Sequence, residues 1–113
     1  MTKFELFKRN NGKHYYRIMT ETGHNIMSSD GYVRKNDCLI AVDQVKEHIL
    51  NNESIQLKEK ANHKWFFTLS GTDRSIVGYS MPFQNKNQCD KWISILRQYL
   101  PKSKVVELNS QVV

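Results

Sequence analysis

Two cysteines, Cys38 and Cys89, and four histidines, His14, His24, His48 and His63, are the residues of this chain best suited to nucleophilic, redox or metal chemistry. A cysteine works as nucleophile or ligand through its thiolate, which needs an accessible site and a depressed pKa. Each cysteine here instead opens an apolar stripe at helical period: Cys38, Ala41, Val42, Val45 and Ile49, then Cys89, Trp92, Ile93, Leu96 and Leu100. That placement predicts two inert thiols packed as small hydrophobes. The histidines have no metal-ligand spacing, and neither Cys-x-x-Cys nor His-Glu-x-x-His occurs. The glycines are isolated, so no phosphate loop forms, and there is no nucleophile elbow or recognisable carboxylate pair. We therefore expect no catalytic residue, metal or cofactor, and a protein that is not an enzyme.

The elements that hold these residues are legible because they occur twice. Lys35, Asn36 and Cys38 recur 51 positions later as Lys86, Asn87 and Cys89, and the same shift sets Ser29 on Ser80 and Tyr32 on Phe83. Apolar positions follow: Phe4/Ile55, Tyr16/Phe67, Ile18/Leu69, Ile26/Val77, Val42/Ile93, Val45/Leu96 and Ile49/Leu100. Strand-like and helix-like patterns kept in one frame predict a tandem repeat.

Each repeat opens with three strand-like segments. In the first these are Phe4 to Phe7, Lys13 to Thr20 and His24 to Ser28, with turns at Asn10-Asn11-Gly12 and Glu21-Thr22-Gly23. In the second they are Ile55 to Lys60, Lys64 to Ser70 and Ser75 to Ser80, with a turn at Gly71-Thr72-Asp73. A helix follows, capped by Asn36 in the first repeat and by Asn85 or Asn87 in the second; Asn51-Asn52 and Pro101 mark the stops. Val106-Glu107-Leu108 continues the series Phe4-Glu5-Leu6 and Ile55-Gln56-Leu57, so a third copy of the first strand closes the chain. We expect an α+β fold in which two tandem β-β-β-α repeats, about residues 3–52 and 53–103, and a closing strand at about 104–109 form one domain. Its antiparallel sheet carries both helices on one face. Ser110 to Val113 are expected to fray.

The composition sets wider bounds. At 113 residues, with 39% hydrophobic and 25% charged residues, the chain suits a single globular domain. No apolar run can span a bilayer, and Met1 to Leu6 lacks the apolar core of a secretory signal. We expect no membrane association and a place in the reducing cytoplasm. The net charge of +6 comes from lysines and arginines scattered among acids, which favours weak attraction to polyanions without a dedicated basic arm.

The run from Phe4 to Ile49 resembles the YegP-like family of small bacterial tandem-repeat proteins. The resemblance rests on the aromatic-rich second strand, Ser29-Asp30-Gly31-Tyr32, Lys35 at the helix start, and Val42-Asp43-Gln44-Val45-Lys46 within the helix. It is strong in the first repeat and weak in the second, where Pro82-Phe83 replaces Gly31-Tyr32. It implies one antiparallel sheet with closing strands exchanged between units, and it implies no activity. The shared motif then belongs to the architecture: Gly31 suits a turn conformation closed to bulky residues, and Tyr32 can lie over the helix start.

Alternation along the strands leaves one surface that architecture explains poorly. With Phe4, Leu6, Tyr16 and Ile18 facing the helices, the outer face carries Phe7, Arg9, Tyr15, Arg17, Met27, Lys58, Lys60, Phe66 and Ile76. Aromatic residues beside arginine are the composition of interaction surfaces. The expected role is an accessory module that binds a protein partner through this face or through a sheet edge. Weak, sequence-nonspecific nucleic-acid binding is the alternative, with bases stacking on Tyr15 or Phe66. A homodimer closing over the face, or lysine stems covering the rings, would account for the same composition.

Overall fold

A computed structural model describes residues 1–108. The order is β1 (Thr2–Lys8), β2 (His14–Thr20), β3 (Asn25–Ser28), α1 (Lys35–His48), β4 (Ile55–Glu59), β5 (Trp65–Ser70), β6 (Ile76–Ser80), α2 (Lys86–Tyr99) and β7 (Lys104–Glu107). The last expected residue of the closing strand and the tail from Ser110 lie outside the described residues. The strands form one sheet in the order β4-β5-β6-β3-β2-β1-β7. Its fold class is α+β, a seven-stranded, mostly antiparallel sheet with two helices.

Residues 51 positions apart take matching places. Phe4 pairs with Ile18 and Leu6 with Tyr16, while Ile55 pairs with Leu69 and Leu57 with Phe67. Isolated bridges join His14 to Tyr32 and Trp65 to Phe83. The Ser29 hydroxyl accepts the Tyr16 amide at 3.0 Å, and the Ser80 hydroxyl accepts the Phe67 amide at 2.9 Å. The matching serines thus satisfy a backbone donor where the sheet ladder gives way to the approach to each helix.

One hydrophobic core lies between sheet and helices and draws on both halves. It holds Phe4, Tyr16, Ile18, Val42, Val45 and Ile49 together with Phe67, Leu69, Leu96 and Leu100. Cys38 and Cys89 are fully buried in it. The Tyr16 ring meets Phe4 edge-on at 5.7 Å, and its hydroxyl reaches across the middle of the sheet to donate to the Val77 carbonyl at 2.7 Å.

Several expectations need correction. The closing strand does not extend an antiparallel sheet: β7 runs parallel to β1, with Val105 opposite Phe4 and Glu107 opposite Leu6. The place of a first strand is already held by β1, so β7 adds outside it. Asn36 is not a helix cap. Arg34 holds that position without a side-chain hydrogen bond, and Asn36 lies in the first turn. The α2 start does have a side-chain cap, Asn85, which accepts the Gln88 amide at 3.0 Å. Gly31 is not in a left-handed conformation. What excludes a side chain there is the Tyr15 ring, whose hydroxyl would stand 2.7 Å from an added Cβ.

The turns differ between the halves in a measurable way. Gly12 and Gly23 take the left-handed φ values of 80° and 85° that their turns require. The corresponding positions in the second half are His63 and Arg74, at 68° and 67°. An L-residue there costs about 1–2 kcal/mol, against the smaller entropic penalty of glycine. Arg74→Gly is therefore expected to stabilise the fold by about 0.5–1 kcal/mol, read as a higher urea midpoint at unchanged slope.

Candidate functional site

The outer face of the sheet separates into two clusters. On β1 and β2, Phe7 lies opposite Tyr15 and their rings stack at 5.7 Å with 13° between planes. Arg9 lies over both, its guanidinium carbon 4.6 Å from the Tyr15 centroid and 5.6 Å from that of Phe7. Arg17 lies 5.2 Å from the Phe7 centroid and donates to Glu5 at 2.8 Å. Asn11 donates to the Tyr15 hydroxyl at 2.8 Å. Phe7 is only 6% exposed, so in this cluster the cations cover the rings.

The second cluster is looser. Lys58 of β4 stands opposite the half-buried Phe66 of β5, and the Lys60 ammonium lies 5.4 Å from the Phe66 centroid. Ile76 begins β6 and is 37% exposed. Strand β3 separates the clusters. Met27 joins neither, although alternation places it outside. It is fully buried in the core opposite Ile18, because a register shift between Ile18 and Met19 offsets β3 by one residue.

Burial alone would push the Glu5 carboxyl up, but its hydrogen bonds and its attraction to Arg17 and Lys3 outweigh this and hold it below the ordinary carboxylate value. The cysteines offer no comparable activation: burial pushes the Cys38 and Cys89 thiols up to about 11. Among the described residues no group of three or more histidine, cysteine, aspartate or glutamate side chains is placed to hold a metal ion.

A third surface lies at a sheet edge, and the groove beside it is new to the structure. The outer edge of β4 has no strand beside it among the described residues, whereas β1 has β7. Between that edge and α2 runs a groove of about 330 Å³, lined by Asn52, Ile55, Leu57, Asp90, Ile93, Ser94 and Arg97. Arg97 closes one end by donating to the Ile49 carbonyl at 2.8 Å and to the Asn52 side chain. A sequence signal for it existed. Three first-strand segments over two helices form an odd set, which leaves the two edges of the sheet unequal.

Residues 10–54 match a sequence family described as a domain of unknown function (DUF1508). A UPF0339 protein of Methanosarcina acetivorans is 33% identical over 58 residues, which span 51% of this chain and all of that protein. The chain belongs to the UPF0339 family. A UPF0339 protein encoded in the ptx operon 5′ region of Stutzerimonas stutzeri is 28% identical over 107 residues, covering 95% of this chain and 96% of that one. UPF0339 protein YegP of Yersinia pestis is 24% identical over 88 residues, 74% of this chain and 79% of that one. The fold is that of two solution structures. A UPF0339 protein of Shewanella oneidensis matches with a TM-score of 0.88 at 19% identity, over 95% of this chain and 91% of that one. The E. coli protein of unknown function yegP matches with a TM-score of 0.89 at 20% identity, over 97% and 96%. This UPF0339 chain thus joins a YegP-like family whose function is unknown. None of its described helices is long and apolar enough to cross a membrane.

Two outcomes follow from these geometries. Native-state thiol modification by Ellman's reagent at pH 8 should proceed only as fast as the protein unfolds, and rapid labelling of either cysteine would return thiol chemistry to consideration. Because the Glu5 pKa is lowered on folding, its pairing stabilises the native state above the unfolded carboxylate pKa and that contribution is lost as pH falls through the folded value. Urea titrations from pH 7 to 3 should show a shallower acid loss for Glu5→Gln than for the wild type.

Proposed function

We propose that this protein is a small, non-catalytic binding module of the cytoplasm that takes an extended segment of a partner protein against the outer edge of β4. The observation that carries the reading is the β4 edge beside the α2 groove. An unpaired edge offers a ladder of backbone donors and acceptors, and the apolar residues beside it supply the side-chain contacts that make strand addition selective. Ile55 and Leu57 are both partly exposed there. The outer face is the weaker candidate. Arg9 and Arg17 are already engaged with Phe7, Tyr15 and Glu5, so a base stacking on Tyr15 would have to displace a cation that the fold holds in place. The same occupancy counts against the nucleic-acid alternative, which retains the net charge of +6 and the looser Phe66 cluster as its support.

We also read the two β-β-β-α units, about residues 3–52 and 53–103, as copies of one ancestral unit within a single domain. The shared register at 51 residues supports this, as does the Methanosarcina relative, which is matched over its full length by 58 residues.

Tagged wild-type protein, the edge variant Ile55→Asp/Leu57→Asp and the face variant Tyr15→Ser/Phe66→Ser should be compared for partner capture from native cells, with circular dichroism confirming that each is folded. Loss of the captured partner in the edge variant alone is expected. Loss in the face variant alone would move the site to the outer face, and salt-sensitive retention of single-stranded oligonucleotides would favour the nucleic-acid reading.

A further inference from the structure

The first half of the molecule contains a worked example of the strand that the second half lacks. There β7 lies parallel to β1, and the Leu108 amide donates to the Leu6 carbonyl at 2.8 Å. Lys35, the first residue of α1, donates its ammonium to the Glu107 carboxylate, pinning the strand at its acidic residue. Phe4 and Leu6 are 0% and 4% exposed in this arrangement.

The strand register and the helix-opening lysine of that docking recur 51 residues on, while Asp90 and Arg97 stand in the groove where the first half has Leu39 and Lys46. Ile55 and Leu57 pair with Leu69 and Phe67 in the register that Phe4 and Leu6 keep with Ile18 and Tyr16. Within an antiparallel pair the N–H and C=O of one residue point the same way, so Leu57, like Leu6, turns both toward the outer edge. Lys86 opens α2 as Lys35 opens α1. It makes no ion pair with any described residue, and its ammonium lies 5.9 Å from the Trp65 centroid.

Resting on the edge reading above, we infer that the β4 groove takes an extended, acidic and apolar peptide segment of a partner protein. The segment runs parallel to β4, with an apolar residue opposite Ile55 and a carboxylate opposite Leu57 paired to Lys86. The α2 N-terminus adds to the attraction for that carboxylate. A second copy of this chain is the poorer occupant. Each chain has one β7 and two such edges, so exchanging β7 between copies fills β4 only by emptying β1, with loss of the Lys35–Glu107 pair and the Leu108–Leu6 hydrogen bond.

The test is a titration of isotope-labelled full-length protein, followed by NMR, with a capped peptide of this chain's own Ser103–Leu108 sequence and with its Glu107→Lys version. The expected result is saturable shifts at Ile55, Leu57, Lys86 and Ile93. Affinity should fall about threefold to tenfold for the Glu107→Lys peptide or for Lys86→Glu protein, the range of an exposed ion pair reversed in sign, and recover when the two changes are combined. Saturable binding at β4 that ignores both charges would overturn the acidic specificity and leave the edge reading standing. No saturable binding of either peptide, with partner capture still lost in Ile55→Asp/Leu57→Asp, would overturn the strand chemistry alone. Absence of both effects would overturn the edge reading with it. Shifts at Phe4, Leu6 and Lys35 accompanied by dimer formation in light scattering would assign the groove to a second copy and overturn the partner assignment.

Discussion

The seam between β3 and β6 is the constraint on which the rest of this structure depends. At this seam the ladder holds two residue pairs, Met27 with Ser80 and Ser28 with Tyr79, and the Met81 amide adds a bond to the Ile26 carbonyl at 2.8 Å. So short a ladder is a weak join by itself, and side chains reinforce it from both faces. On the core side the Tyr16 hydroxyl crosses to the Val77 carbonyl, and the Met27 side chain fills the space above Gly78. A Cβ at position 78 would stand 2.3 Å from the Tyr16 hydroxyl and 2.8 Å from the Met27 methyl, so the join closes only because that residue is glycine. Across the seam the Tyr79 hydroxyl donates to Asp30 at 3.0 Å. Helix α1 then spans the join, since it packs against β5 and β6 of the other half as well as against β2.

The stretch from Ser29 to Cys38 and its counterpart 51 residues on have matching structural tasks. Ser29 terminates a ladder by accepting the Tyr16 amide, Tyr32 bridges back to His14, and Cys38 is the first fully buried residue of the helix. Ser80, Phe83 and Cys89 perform the same three tasks in the second half. Phe83 additionally stacks on Trp92 at 6.5 Å, so an aromatic ring at this position packs against the helix whether or not a glycine precedes it. Packing is kept where motif identity is lost, as expected for residues whose task is to turn the chain from sheet to helix.

Much of this was legible in the sequence because the signals were local and duplicated. The helical stripes opened by Cys38 and Cys89 fix the buried face of each helix, and alternation about Tyr16 and Ile18 fixes the buried face of β2. Three things escaped for physical reasons. Met27 was misplaced because a one-residue register shift reverses inside and outside, and alternation carries no mark of such a shift. The parallel course of β7 depends on which edge is vacant, a property of the assembled sheet. The cation cover over Phe7 and Tyr15 depends on arginine rotamers that join residues of two strands. Alternation therefore says which strand positions share a face, and says nothing of the arginines that lie over Phe7 and Tyr15.

The remaining asymmetry is the one with functional weight. Two units related by a register of 51 residues would have equal edges, and the added β7 makes them unequal. β7 itself is a short strand whose four residues are all exposed, and short edge strands are a common guard against unwanted pairing. β4 is guarded differently: Lys58 and Glu59 end the strand and Lys60 follows it, while Ile55 and Leu57 ahead of them stay open to the α2 groove. Charged side chains along an edge disfavour unselective pairing, yet they leave room for a segment of complementary charge. An edge that merely needed protection could have been shortened as β7 is. β4 instead combines charged residues with an apolar floor, which is the arrangement that the proposed strand addition requires.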